Sequence, residues 1–282
     1  MLRTRILTAL VLVPLVLAAL FLLPPRAWGA ATLAVIGVAA YEWARLTGFA
    51  SSRWAAVVGG ALVAGAVLLF SPLAGFARGW PAPWVGAVCG VAALFWLLVA
   101  PAWVLRRWPT QRRLPMLVVG WLVLLGAWVA LVELQARSPW LVLAAMAIVW
   151  IADTAAYFAG RAFGRRKLAP LVSPGKTWEG VYGAWAAVAL YALALVPYAG
   201  AAGFRPPVTP AAIAAWVAFA LLVASVSVVG DLFESLLKRH AGVKDSGALL
   251  PGHGGVLDRT DALLAAMPVV ALAALAFLER AP

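Results

Sequence analysis

Acidic residues are scarce in this chain, and most of them lie close together. Of ten Asp and Glu in 282 residues, Asp153, Glu179, Asp231, Glu234, Asp245, Asp258 and Asp261 fall between positions 153 and 261. The densest stretch runs from Gly230 through Asp231, Glu234, Ser235, Lys238, Arg239 and His240 to Lys244 and Asp245. If a helix continues through it, Asp231, Glu234, Ser235 and Lys238 stand at i, i+3, i+4 and i+7 and share one face. That face either lines a site or is a solvated helix end with internal ion pairs. Downstream, Gly252, Gly254 and Gly255 surround His253 and lead into Asp258, Arg259 and Asp261. Glycines let the backbone turn sharply and approach a ligand, and amides entering a helix suit a phosphate. Asp258 and Asp261, three apart at the start of that helix, project to one side and could share a metal ion. Bare carboxylates would repel a nucleoside triphosphate, whereas a bound cation reverses the local field. Acids beside a phosphate loop therefore imply a divalent metal, Mg2+, with a second cation left open. Capping is the competing account of Asp258 and Asp261, favourable by about 0.3–1 kcal/mol each. It does not explain Lys238, Arg239, Lys244, the glycine loop and Asp231 arriving together.

A second polar segment spans 160–180. Its Pro174-Gly175-Lys176-Thr177 resembles the end of a P-loop, but that motif needs glycine where Pro170 stands, and no strand precedes it. The P-loop is rejected. Asp153 lies in an apolar run, where a charge costs about 2.5–3.5 kcal/mol and faces a polar cavity or partner. Glu42 and Glu133, near the ends of other apolar runs, read as snorkelling or paired residues. His240 reads as a solvated loop residue. A lone histidine, His253 included, would be an unusual ligand for Mg2+.

The elements that must position these residues are membrane helices. The chain is 65% hydrophobic and 11% charged, with mean hydropathy +0.99, which points to a bilayer rather than a soluble core. A spanning helix needs about 20 mostly apolar residues. Nine such runs are expected, at 6–23, 27–46, 54–71, 84–105, 114–135, 140–160, 179–198, 211–230 and 262–278. The fold class is accordingly an all-α polytopic bundle forming one membrane domain over 1–282, with its catalytic region at 153–261. The first run is too long for the core of a cleaved export signal and is read as a retained helix. With the N-terminus cytoplasmic, 17 of the 22 Lys and Arg residues fall on inside segments, and five, Arg26, Arg78, Arg137, Arg205 and Arg280, fall outside. Both polar segments then face the cytoplasm at an inner (plasma) membrane. The net charge of +12 reflects bases beside anionic head groups. These bases are scattered over five loops and offer no groove for nucleic acid. Tryptophans near helix ends, such as Trp28, Trp54, Trp84, Trp108, Trp140 and Trp178, read as interfacial anchors. Cys89, the only cysteine, reads as a packing residue.

The ordered run from Ser235 to Asp261, S-L-L-K-R-H-A-G-V-K-D-S-G-A-L-L-P-G-H-G-G-V-L-D-R-T-D, resembles the defining motif of the phosphatidate cytidylyltransferases, or CDP-diacylglycerol synthases. Gly230-Asp231-Leu232 with Glu234 also fits, as do Asp153, Phe163-Gly164, Ser173-Pro174 and Lys176 to Gly180. Two positions depart. Gly175 stands where the family commonly has a second lysine, and Ala262 where it commonly has serine. The resemblance implies that CTP and phosphatidic acid are joined as CDP-diacylglycerol with release of pyrophosphate. By that analogy Asp231, Asp258 and Asp261 are metal ligands, and Lys238, Arg239, Lys244 and Asp245 belong to the catalytic group as phosphate clamps and their neighbour. Gly252, His253, Gly254, Gly255 and Arg259 would hold nucleotide or pyrophosphate, while Ser173, Lys176 and Thr177 would bind the lipid phosphate or CTP. A CTP-dependent lipid kinase would use similar groups. A transporter would place its acids at the bilayer midplane, and here they cluster at loop edges. The oligomeric state is open, a homodimer included.

Overall fold

The computed structural model describes residues 2–49, 51–72, 76, 79–198 and 209–278, so Arg78, Arg205 and Arg280 lie outside the described residues. Its order is α1 (Leu2–Leu22), α2 (Pro25–Leu46), α3 (Ser51–Phe70), α4 (Ala82–Leu94), a π turn (Phe95–Val99), α5 (Ala100–Arg106), α6 (Arg113–Arg137) and α7 (Pro139–Phe163). A hairpin of β1 (Lys167–Ala169) and β2 (Ser173–Thr177) follows, then α8 (Trp178–Leu195), α9 (Pro210–His240) and α10 (Leu257–Leu278). The fold is an all-α polytopic membrane bundle. Every expected apolar run coincides with helix. Among the described residues six helices are long and apolar enough to cross a membrane, with shorter apolar helices at Leu10–Leu22 and Ala56–Phe70.

Helix α6 lies centrally, packed on α2, α4, α7 and α10. Its indoles and its neighbours' satisfy their N–H groups on facing backbone: Trp128 Nε1 donates to the Gly29 carbonyl at 3.0 Å, and Trp43 Nε1 to that of Met116 at 2.9 Å. Trp28, expected as an interfacial anchor, is instead buried and donates to the Leu131 carbonyl. The π turn precedes Pro101, which can supply no N–H to the ladder. There Ala100 N donates five residues back to Phe95. This rod presents Phe95, Trp96 and Trp103 edge-on to Phe233 of α9 at 5.6, 5.7 and 5.8 Å, and Trp43 of α2 stacks on the same ring at 6.2 Å.

Helix α9 outruns its apolar segment. Its 31 residues extend roughly 46 Å at 1.5 Å per residue, against a hydrocarbon core of about 30 Å. The surplus carries Asp231 to His240 beyond the apolar run. Gly230 sets the contact with α10, since a Cβ there would come within 2.5 Å of the Asp261 carbonyl oxygen and 2.9 Å of Ala265 Cβ. Close helix approach through small residues is how membrane bundles pack.

The hairpin was not expected. Ser173-Pro174-Gly175-Lys176-Thr177 has no alternating apolar pattern, so strand is not visible in it. It is held by tertiary contacts: Val172 is buried, its carbonyl accepts from Arg239 Nε at 3.1 Å, and Lys167 pairs with Thr177 across the two strands.

Phe233 is 1% exposed and is the hub through which four aromatic residues orient α9. Phe233→Ala is expected to cost about 3–5 kcal/mol, read as a lower unfolding midpoint in detergent solution.

Candidate active site

With its apolar back fixed through Phe233, α9 turns Asp231, Glu234, Ser235 and Lys238 toward the hairpin and α10, as their spacing requires. Asp231 receives Lys176 Nζ of β2 at 2.6 Å and Ser235 Oγ of its own helix at 3.2 Å. Asp261, brought beside α9 by the Gly230 contact, lies within electrostatic reach of both Asp231 and Asp153. Asp153 of α7 also feels Lys176 and Arg259. Acids from three helices thus share one polar surface with two cations.

The second half of the site is a continuous chain of bonds. Lys238 Nζ is in ion-pair contact with Glu234, one turn away, and reaches Asp258 Oδ1 of α10 at 2.7 Å. All three side chains are mostly buried. Asp258 Oδ2 accepts from Gly255 N at 2.8 Å, Ser246 N at 2.8 Å and Ser246 Oγ at 3.0 Å. Ser246 Oγ also lies 2.8 Å from Glu42 Oε2 of α2. Glu42, 2% exposed, accepts from Val256 N at 3.0 Å and Leu257 N at 2.8 Å. Those amides open α10, and a carboxylate there complements the helix dipole. Glu42 and Asp258 between them tie down both ends of the glycine loop.

Within that loop Gly252 and Gly254 have φ of +74° and +85°, a conformation side chains rarely adopt. Leu250 N donates to the Gly254 carbonyl at 2.9 Å, and His253 N to that of Leu250 at 2.8 Å, closing a tight turn. His253 Nδ1 is buried without a hydrogen-bond partner, and its carbonyl accepts from Arg259 Nε at 2.9 Å.

Several expected site residues are committed to the protein itself. Thr177 caps α8, accepting from Gly180 N at 3.2 Å. Arg239 secures the hairpin. His240, not among those residues, is exposed as expected and shares a hydrogen bond with Thr110 at 2.9 Å. Ser173 sits on β2 three residues before Lys176, while Lys244 and Asp245 are exposed before the loop. Asp258 and Asp231, both expected as metal ligands, each have both oxygens engaged, Asp258 by Lys238, Ser246 and Gly255 and Asp231 by Lys176 and Ser235. Among the described residues no group of three or more Asp, Glu, His or Cys side chains is arranged to hold a metal. Asp231 and Asp261 face each other across the α9–α10 contact set by Gly230 and supply hard oxygen donors of the kind Mg2+ takes.

Comparison with known proteins bears directly on this arrangement. The model of the cytidylyltransferase family matches residues 3–277. The chain belongs to that family. A phosphatidate cytidylyltransferase of Pseudomonas aeruginosa is 44% identical over 283 residues, covering 96% of each chain. One from Haemophilus influenzae is 35% identical over 290 residues, covering 95% of this chain and 96% of its own. One from Brucella suis is 51% identical over 134 residues, 47% of this chain and 46% of its own.

Sequence reasoning about this cytidylyltransferase left Glu42 as a paired or snorkelling residue. It is paired, but with backbone and Ser246 more than 200 positions away. Its one local signal was a carboxylate in an apolar run. Glu133 is likewise paired, with Arg137 at 2.7 Å and with Trp80 N.

Glu42→Gln keeps the shape but turns an NH2 toward donors. Losses from disturbing groups that orient a site run to about 10- to 100-fold, so CTP turnover should fall by that range in protein that still purifies as folded. Faster proteolytic cleavage between α9 and α10 is the accompanying sign.

Proposed function

We propose that this cytidylyltransferase makes CDP-diacylglycerol and pyrophosphate from CTP and phosphatidic acid. The observation that carries the reading is 44% identity to a phosphatidate cytidylyltransferase along essentially the whole chain. The geometry agrees with what that reaction demands. A phosphate oxygen of phosphatidic acid forms a bond to the α-phosphorus of CTP, and the bond from that phosphorus to the β-phosphate oxygen breaks. A phosphate monoester is already ionised and nucleophilic near neutrality, so the burden is electrostatic. Two polyanions must meet, and charge must be absorbed on the departing pyrophosphate.

The chain's own residues supply this at one place. Lys176 and Lys238, each held by carboxylates, present fixed positive charge to phosphates without needing to be ordered first. Arg259 and the exposed Lys244 flank the glycine loop, whose turn offers amides to a phosphate. Asp231 and Asp261 would hold Mg2+, and Asp153 stands near them on the third helix. When bound, the ion supplies charge neutralisation between the carboxylates and the polyphosphate. Asp258 acts one step back, fixing Lys238 and the loop. Every group named comes from one chain, and a homodimer is compatible with this arrangement. Placement at the inner membrane with the site toward the cytoplasm follows from the distribution of Lys and Arg, and it sets the site where CTP and lipid head groups meet.

Purified protein given labelled CTP, Mg2+ and phosphatidic acid should yield CDP-lipid and pyrophosphate; CDP with a newly phosphorylated lipid would mark a kinase instead. Chelation of divalent ions should abolish turnover and Mg2+ restore it. Asp261→Asn should lower kcat by about 100-fold or more, whereas an Asn variant as active as the parent would remove Asp261 from the proposed ligands.

A further inference from the structure

Beside the site, an apolar groove runs between α2 and α3 with a volume of about 880 Å3. It falls within the roughly 300–1,000 Å3 of ligand pockets. Leu33, Ala34 and Val38 line it from α2, Val58 and Leu62 from α3, and Leu249 from the segment before the glycine loop. The same two helices carry exposed apolar side chains, Val35, Val63 and Val67, as lipid-facing helices do. The groove changes character at one end. There Tyr41, Glu42, Arg45 and Gly247 line it.

We propose that this groove binds the acyl chains of phosphatidic acid, with the lipid phosphate beside Arg45. The proposal rests on the activity argued above and names where its lipid substrate lies. Three observations converge on this occupant. First, the groove is apolar along α2 and α3 and charged only at the end nearest the site, where Arg45 is exposed and the Glu42 carboxylate is already taken up by Ser246, Val256 N and Leu257 N. That polarity matches a phospholipid monoanion or dianion, head group out and chains in. Second, Arg45 is exposed, rests over the Tyr41 ring at 5.8 Å and forms no ion pair with a carboxylate among the described residues. Its guanidinium is therefore available to a phosphate. Third, the mouth is continuous with the reacting groups. Glu42 and Gly247 line the groove, Glu42 holds Ser246, Ser246 holds Asp258, and Asp258 holds Lys238. A head group at Arg45 would enter the site past the same segment that shapes the glycine loop.

Ala34 lies 11 residues before Arg45, roughly 16 Å down the helix axis. It is exposed into the groove, so a larger side chain there obstructs the groove without disturbing the core. A six-carbon chain anchored at Arg45 stops short of that position, and an eighteen-carbon chain must pass it. The test compares full-length wild-type protein with Ala34→Trp in mixed micelles, using dihexanoyl and dioleoyl phosphatidic acid at saturating CTP. The expected result is a KM for the dioleoyl substrate raised about tenfold or more, with the dihexanoyl KM and the CTP KM unchanged. Equal behaviour of the two proteins at both chain lengths overturns the groove, provided wild type makes CDP-lipid. A wild type that makes none overturns the activity instead. A second measurement needs no variant. Phosphatidic acid carrying a diazirine near the chain terminus should label wild-type peptides from α2 and α3, with excess phosphatidic acid but not phosphatidylcholine displacing the label. Labelling that phosphatidic acid does not displace, or that falls only on other helices, contradicts the proposal.

Discussion

A largely buried ammonium group joins the two helices that make the site. Lys238 leaves α9 and ends between Glu234 of its own helix and Asp258 of α10. Taking such charges out of water is expensive, and the arrangement survives only where partners and hydrogen bonds are complete. Asp258 is complete, since besides Lys238 it receives Ser246 and Gly255, whereas Glu234 has the ammonium alone and keeps Oε1 buried without a hydrogen-bond partner. Removing the ammonium would take the partner from Glu234 and from Asp258 Oδ1 at once. Alongside the Gly230 contact and Glu42, this nitrogen therefore links the register of α9 against α10 to the start of α10 and the shape of the glycine loop.

From this contact the network extends in two directions. Through Ser246 it reaches Glu42 on α2, which holds the first amides of α10 and borders the apolar groove. Through the Gly230 contact it brings Asp261 to Asp231, whose other partner is Lys176 of the hairpin. Both lysines are thus engaged by acids. In the proposed reaction incoming phosphates meet positive charge that is already oriented, and Asp231 and Asp261 are the proposed ligands of the cation. A site built this way separates the groups that set geometry from those that face the substrate.

Much of this could be read from residue types and spacing. The apolar runs marked the helices, because bilayer thickness sets their length. The i, i+3, i+4, i+7 face of α9 formed as expected, since the helix does continue beyond its apolar segment. Glycines at 252 and 254 marked a turn that other residues would strain. What was hidden depends on distance along the chain. Nothing near Glu42 indicates Ser246 or Leu257, because the pairing exists only once α2 packs beside α10. The hairpin at 167–177 has no period-two pattern and is held by Val172 and Arg239. Asp258 illustrates a third kind of ambiguity. An acid three residues from another suits a metal site or a structural anchor equally well, and the ion pair with Lys238 is the part that spacing alone did not reveal.

A double-mutant cycle on unfolding in detergent, with Lys238→Met, Asp258→Asn and the pair, tests the helix-joining contact most directly. The account predicts that the two substitutions are strongly non-additive, with a coupling of about 1 kcal/mol or more. Effects that add to within about 0.5 kcal/mol, the behaviour of independent positions, would contradict it.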